Sequence, residues 1–307
     1  MSLNATVPVP DAGPAPQQRR RRRSWGSTEG GVLLLAVLLF PLYWMLNVSL
    51  QPAGSASRTS WFPSQLSFEG YRTAFEQQSG NLVTSLVVSL GAVALSLVIA
   101  APAAYALAQF RIRYAGVVLF GVLISQMIPG IIVANALYSA YNDLGLLNTV
   151  GGLVLADATA GIPFAILILL AFMRSLEPSL VEAARVDGAG PIRAFVSVVL
   201  PISRNALITA GLFTFLFAWG DFLFALTLTT TADVRPITLG LYQYIGTYVS
   251  DWSTVMATAV MATAVMASLP AIALLVLAQA VRRRGCHGRR GQVTSRREHH
   301  PTCRRSA

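Results

Sequence analysis

Residues 174–203 read RSLEPSLVEAARVDGAGPIRAFVSVVLPIS, a short charged stretch between two long apolar ones, roughly Val150 to Phe172 before it and Asn205 to Thr229 after it. Glu177-Pro178-Ser179 is a helix start, because proline's fixed φ and missing N–H are tolerated in a first turn, and Leu180 to Arg185 continues it with good helix formers. Gly188 and Gly190-Pro191 end that helix. A second short helix is expected over Ile192 to Val199, closing at Pro201. The stretch therefore reads as a helix-turn-helix lying along a membrane face, a protrusion shaped to meet a partner.

Outward from this loop the chain carries six apolar spans: Gly30 to Leu50, Leu82 to Ala108, Ala115 to Leu137, Val150 to Phe172, Asn205 to Thr229 and Thr254 to Val281. Each is long enough to cross about 30 Å of hydrocarbon as a helix. Composition agrees: of 307 residues 54% are apolar and 12% charged, half the roughly 25% charge of soluble chains, and the mean hydropathy is +0.58. The expected fold class is all-α, a polytopic membrane protein with six transmembrane helices over residues 30–281. Residues 1–29, rich in Pro, Ala, Gln and Arg, read as a disordered basic tail. The first apolar stretch is too long for the core of a cleaved signal peptide and carries Tyr43-Trp44 at an interface position. Between the first two spans, Phe68, Tyr71, Thr73, Ala74 and Phe75 suggest a surface helix on the outer leaflet.

Loop arginines set the topology, since cytoplasmic flanks retain positive charge. Arg19 to Arg23, Arg111, Arg113, Arg174, Arg185, Arg193, Arg204 and the tail arginines fall on one face, against Arg58, Arg72 and Arg235 on the other. Both termini, and the 173–204 loop, are expected on the cytoplasmic side of the membrane.

Several chemistries are excluded. All 23 basic residues are arginine, so no lysine exists for a phosphate-binding loop, a Schiff base or a catalytic ammonium. His287, His299, His300, Cys286 and Cys303 all follow the last span. Histidine general bases and thiol nucleophiles are thus missing where a substrate could be buried. Adjacent ligands in a basic stretch also argue against a metal site there. An enzyme is not expected, nor a cofactor, a metal or a nucleic-acid partner.

Two carboxylates fall inside apolar spans, Asp157 and Asp221, and buried acids are costly enough in a membrane to count as functional candidates. They suit a proton relay, hydrogen bonds to sugar hydroxyls in a translocation path, or helix-to-helix pairing, for example of Asp157 with Asn135. Trp219 beside Asp221 makes an aromatic-plus-carboxylate pair of the kind that holds a sugar, and an interfacial aromatic belt reads the same way. An ion-coupled secondary transporter or channel acting alone would explain the six spans and two acids equally well.

The spacing in the loop separates these readings. Glu182-Ala183-Ala184, three residues, Gly188, nine residues, Val198, one residue and Leu200-Pro201 resembles the EAA motif of ABC importer permeases, with valine in place of isoleucine at 198. Met127-Ile128-Pro129, Leu144-Gly145-Leu146-Leu147-Asn148, Ile162-Pro163-Phe164, Asp187-Gly188-Ala189 and Trp219-Gly220-Asp221-Phe222 extend the resemblance to the carbohydrate-importer branch, of maltose-permease G-subunit type. The resemblance implies the type I permease fold and a subunit that works with a second, similar permease, two ATPase subunits and an extracytoplasmic solute-binding protein that delivers sugar. It makes Glu182, Ala183, Ala184, Asp187, Gly188, Leu200 and Pro201 the ATPase-coupling residues. Glu182 is expected to pair with a basic group on the ATPase.

Two features depart from the family. Met256 to Met266 is a tandem repeat of the five residues MATAV followed by methionine, and the distance from Trp252 to Pro270 is five residues longer than in relatives. After Gln279 the family ending is replaced by an arginine-rich tail, residues 282–307. A one-nucleotide change of reading frame near codon 280 is the expected cause, which makes the tail functionally empty; the alternative is a divergent basic tail that binds anionic membrane lipid.

Overall fold

The computed structural model describes residues 25–52, 61–62, 65–110, 112–231, 233–247, 252–266 and 268, and among them every regular element is a helix. The chain divides into two units, Met1–Trp44 and Met45–Ala307. Helix α1 spans Trp25–Ser49; its residues 25–44 are the described part of the first unit, where Phe40 stacks on Trp44 with ring centroids 6.1 Å apart, and its last turn belongs to the second. It begins at Trp25, ahead of the expected boundary at residue 30.

In the second unit α2 is one continuous helix, Glu69–Gln109, 41 residues long. At 1.5 Å per residue it measures about 60 Å, twice the hydrocarbon thickness. The separate surface helix expected around Phe68 to Phe75 is therefore the first turns of the second span. No proline or glycine pair interrupts the chain there, and continuing the helix satisfies every backbone donor at no extra cost. Ser49 and Tyr71 hydroxyls, 2.8 Å apart, tie its start to the end of α1.

The third span is broken rather than straight. Helices α3, Ala115–Ser125, and α4, Gly130–Leu144, meet at 95°. Pro129, with ψ of 130°, cannot donate a helical hydrogen bond and pushes Ile128 out of the α region, so the helix stops and restarts. The fourth span, α5, Val150–Arg174, is straight enough to count as one crossing. Helices α6, Pro178–Val186, and α7, Pro191–Ile202, form the loop, and α7 bends by 77° into α8, Arg204–Gly220. The fifth span then breaks at Asp221, where ψ is 130°, before a six-residue helix α9, Leu223–Leu228. Helix α10, Ile237–Thr247, follows. Helix α11, Trp252–Met266, is the described beginning of the sixth span. Among the described residues, three single helices and two bent pairs are long and apolar enough to cross a membrane.

Helices α2, α5 and α8 form the central packing. Their crossing is built from small residues: Ala92, Ser96 and Ala100 on α2, Ala158 and Ala165 on α5, Ala210 and Thr214 on α8, all buried. Small side chains let helix backbones approach where lipid supplies no hydrophobic drive for association. Gly161 marks the tightest point. A Cβ there would lie 2.6 Å from Thr214 Cγ2 and 2.8 Å from Ser96 Oγ.

Candidate functional site

The loop is built as the sequence reading expects, with one refinement. Helix α6 starts with Pro178 in its first turn and ends in a two-bond closure. The N–H of Gly188 donates to the Arg185 carbonyl at 3.0 Å, and the N–H of Ala189 donates to the Ala184 carbonyl at 2.9 Å. This is a Schellman turn, and it requires the left-handed conformation that Gly188 adopts at φ of 81°. Ala184 and Ala189 close the turn by packing against the core. Two of the motif's spaced positions, Ala184 and Gly188, thus belong to one turn.

The refinement concerns Pro201. The second limb does not stop before it but runs on to Ile202 through a π turn over Phe195–Val199, in which the Leu200 N–H reaches the Phe195 carbonyl. The widened turn accommodates the proline, which has no N–H to continue an ordinary ladder. Leu200 packs against the core and Pro201 is exposed.

One side of the helix-turn-helix is anchored and the other is bare. Val181, Ala194 and Val199 are buried with Leu169, Leu170 and Met173 of α5. Tyr105 of α2 locks the second limb: its ring lies 4.9 Å from that of Phe195 and its hydroxyl donates to the Pro191 carbonyl at 3.4 Å. Tyr105 was invisible as a site residue because its partner is 86 positions away. Outward, Glu182, Ala183, Arg185 and Asp187 are exposed, with Val186 at 87% and Ile192 at 78% exposure. An open apolar groove runs along Gly190, Pro191, Ile192, Val196 and Ser197, rimmed by Arg193. Among the described residues, neither Glu182 nor Asp187 has a side-chain hydrogen bond or ion pair. Asp187 stands at the C-terminal end of α6, where the helix dipole disfavours a negative charge. The outward side of this platform therefore presents two exposed carboxylates and bare aliphatic side chains.

The four residues read as a substrate path separate in the structure. Asp157 is only 6% exposed and, among the described residues, makes no hydrogen bond to Asn135 or to any other group. Asn135 is exposed on α4. Asp221 is engaged already: its carboxylate accepts the N–H groups of Phe224 at 3.4 Å and Ala225 at 3.1 Å, capping α9. Its backbone carbonyl accepts the Thr238 hydroxyl at 2.6 Å. Trp219 is 3% exposed, packed on Phe215 at 5.5 Å with Ile237 and Ala262 nearby, and presents no free ring face to a sugar. The aromatic-plus-carboxylate pair read from the sequence is therefore core and cap. Neighbours in sequence on either side of a helix break point in unrelated directions.

Residues 93–284 match the family described as binding-protein-dependent transport system inner membrane component. The chain belongs to this family. The permease is 30% identical over 270 residues to the diacetylchitobiose uptake system permease protein DasC of Streptomyces coelicolor, covering 87% of this chain and 95% of that one. It is 32% identical to the trehalose transport system permease protein SugB of Mycobacterium tuberculosis, over 70% of this chain and 79% of the relative. The fold is that of an ABC importer permease: a chain in the crystal structure of a bacterial ABC transporter for the acidic polysaccharide alginate superposes with a TM-score of 0.69 at 22% identity, over 87% of the permease and 99% of that chain. The permease is thus an inner-membrane transport component and not an enzyme.

Proposed function

We propose that the permease imports a sugar or oligosaccharide, and that it does so with a second, similar permease, two ATPase subunits and an extracytoplasmic solute-binding protein. The observation that carries this reading is the helix-turn-helix of residues 178–202, anchored on one side and bare on the other. Glu182 and Asp187 meet basic groups of an ATPase subunit, Val186 and Ile192 fill apolar hollows on it, and Ala183 keeps the contact face low. Closure of the ATP-bound ATPases then pulls this platform, and the rigid attachment of α6 and α7 to α2 and α5 turns the pull into rocking of the permease halves. The relatives' named cargoes, diacetylchitobiose and trehalose, support a carbohydrate. The arginine-rich loops support cytoplasmic termini and a cytoplasmic platform. In the path itself, Asp157 is the carboxylate left free to accept sugar hydroxyls, with Asn135 on the neighbouring helix, while Trp219 and Asp221 hold the wall.

A tagged copy is expected to co-purify with an ATPase and a second permease, and the assembly in liposomes takes up sugar only with ATP and the binding protein present. A homo-oligomer that transports without ATP would reject this reading in favour of an ion-coupled carrier.

A further inference from the structure

The turn between α4 and α5 does more than join two helices. Gly145, at φ of 67°, ends α4, and Asn148, at φ of 58°, takes the left-handed conformation a second time. Asparagine is one of the few L residues that tolerates it. Thr149 starts α5, its hydroxyl accepting the Gly152 N–H at 3.0 Å and donating to the Leu146 carbonyl at 2.7 Å. Between these two fixed points the Asn148 side chain is aimed at the strand of chain that leaves α9, 82 residues further on. The backbone N–H of Asn148 donates to the Leu228 carbonyl at 3.0 Å. Its Oδ1 accepts the N–H groups of Thr230 at 2.6 Å and Thr231 at 2.9 Å and the Thr230 hydroxyl at 3.2 Å, while Nδ2 lies 3.1 Å from the same hydroxyl.

What this clamps matters. Helix α9 has six residues, too few to persist alone in water. Asp221 caps its first turn. Its apolar face, Phe224 and Leu228, packs on Ala134 and Tyr141 of α4 and Leu153 of α5, the two helices that carry Asn135, Asp157 and the proposed path. The remaining free end is the one Asn148 holds.

We propose that Asn148 is a positioning residue for transport, a latch that fixes the end of the broken fifth span to the α4–α5 turn so that α9 moves with α4 and α5 as one wall of the path. The latch rests on the proposed permease role for its consequence, though not for its geometry. Two substitutions separate it from a merely conformational need. Asn148→Gly keeps the left-handed backbone and removes the side chain. Asn148→Asp keeps an acceptor for the Thr230 and Thr231 N–H groups.

The test uses the assembled transporter in lipid nanodiscs, with hydrogen exchange read at residues 228–231 and ATPase activity read with and without the binding protein. In Asn148→Gly, exchange at 230 and 231 accelerates roughly tenfold or more, and stimulation by the binding protein falls about fivefold or more. Asn148→Asp restores both. Native exchange in the glycine variant, or equal behaviour of the two variants, overturns the latch. If exchange responds as expected but even the native assembly shows no stimulation, the permease role itself fails and the proposal falls with it.

Discussion

Gly188 and Glu182 show how differently single residues encode the proposed coupling loop. At φ of 81° Gly188 occupies backbone space that a branched side chain enters only with strain of roughly 1–3 kcal/mol, although nothing lies within 4 Å of where a Cβ would sit. Gly188→Val is therefore expected to spoil the turn through the backbone alone, leaving membrane insertion intact and abolishing both transport and stimulated ATPase activity. Glu182→Lys is expected to do the same by another route, since an exposed charge reversed at a docked contact replaces attraction with repulsion while costing the isolated permease almost nothing. Normal uptake by either variant counts against the docking assignment. Trp219 belongs to a different class. Buried on Phe215 and Ile237, it is expected to cost about 3–5 kcal/mol when cut to alanine, seen as a clear fall in melting temperature of the purified protein. A Trp219→Ala variant that melts normally but loses sugar affinity would restore the ring to the path.

Among the elements, α11 carries the duplicated pentapeptide. Five residues advance a helix by about 7.5 Å and turn it by about 500°, a net offset near 140°, so two identical copies cannot present the same face. The structure bears this mismatch: in the first copy Ala257 and Thr258 are fully buried, while in the second Ala262 is buried and Thr263 is exposed. Deleting Met256 to Val260 leaves the second copy to take the place of the first, so the buried Ala and Thr are restored by their twins. The shortened protein is expected to melt at the same temperature or higher; a lower melting point would mean that the added turn has become part of the packing. The same scale explains where hydropathy misled. Spans three and five read as uninterrupted apolar stretches, but Pro129 and Asp221 break them, and a window average does not register a missing N–H or a carboxylate that prefers to cap a new helix.

For the whole molecule, the tail beyond Gln279 lies outside the described residues, and the family match ends at residue 284. A one-nucleotide insertion near codon 280 is the expected cause of the arginine-rich ending. Sequencing the gene is expected to reveal, in the alternative frame, a family-like ending close to QRYVVAGVTAGGVK; codons that yield no such ending refute it. Truncation after Gln279 is expected to leave transport unchanged. What the sequence determined by itself was whatever is local: the lengths of the apolar spans, the all-helical class, and the helix-turn-helix with its glycine turn. Hydropathy, proline and left-handed glycine act over a few residues, so they are legible in a string. What only the tertiary structure decided was the use of each polar group. Asp157 makes no hydrogen bond among the described residues, Asp221 is consumed as a cap, Tyr105 anchors the loop from 86 residues away and Asn148 clamps a segment 82 residues away. A buried polar side chain is defined by the partner it finds, and in a bundle of long helices that partner lies across the fold, at a sequence distance no local pattern records.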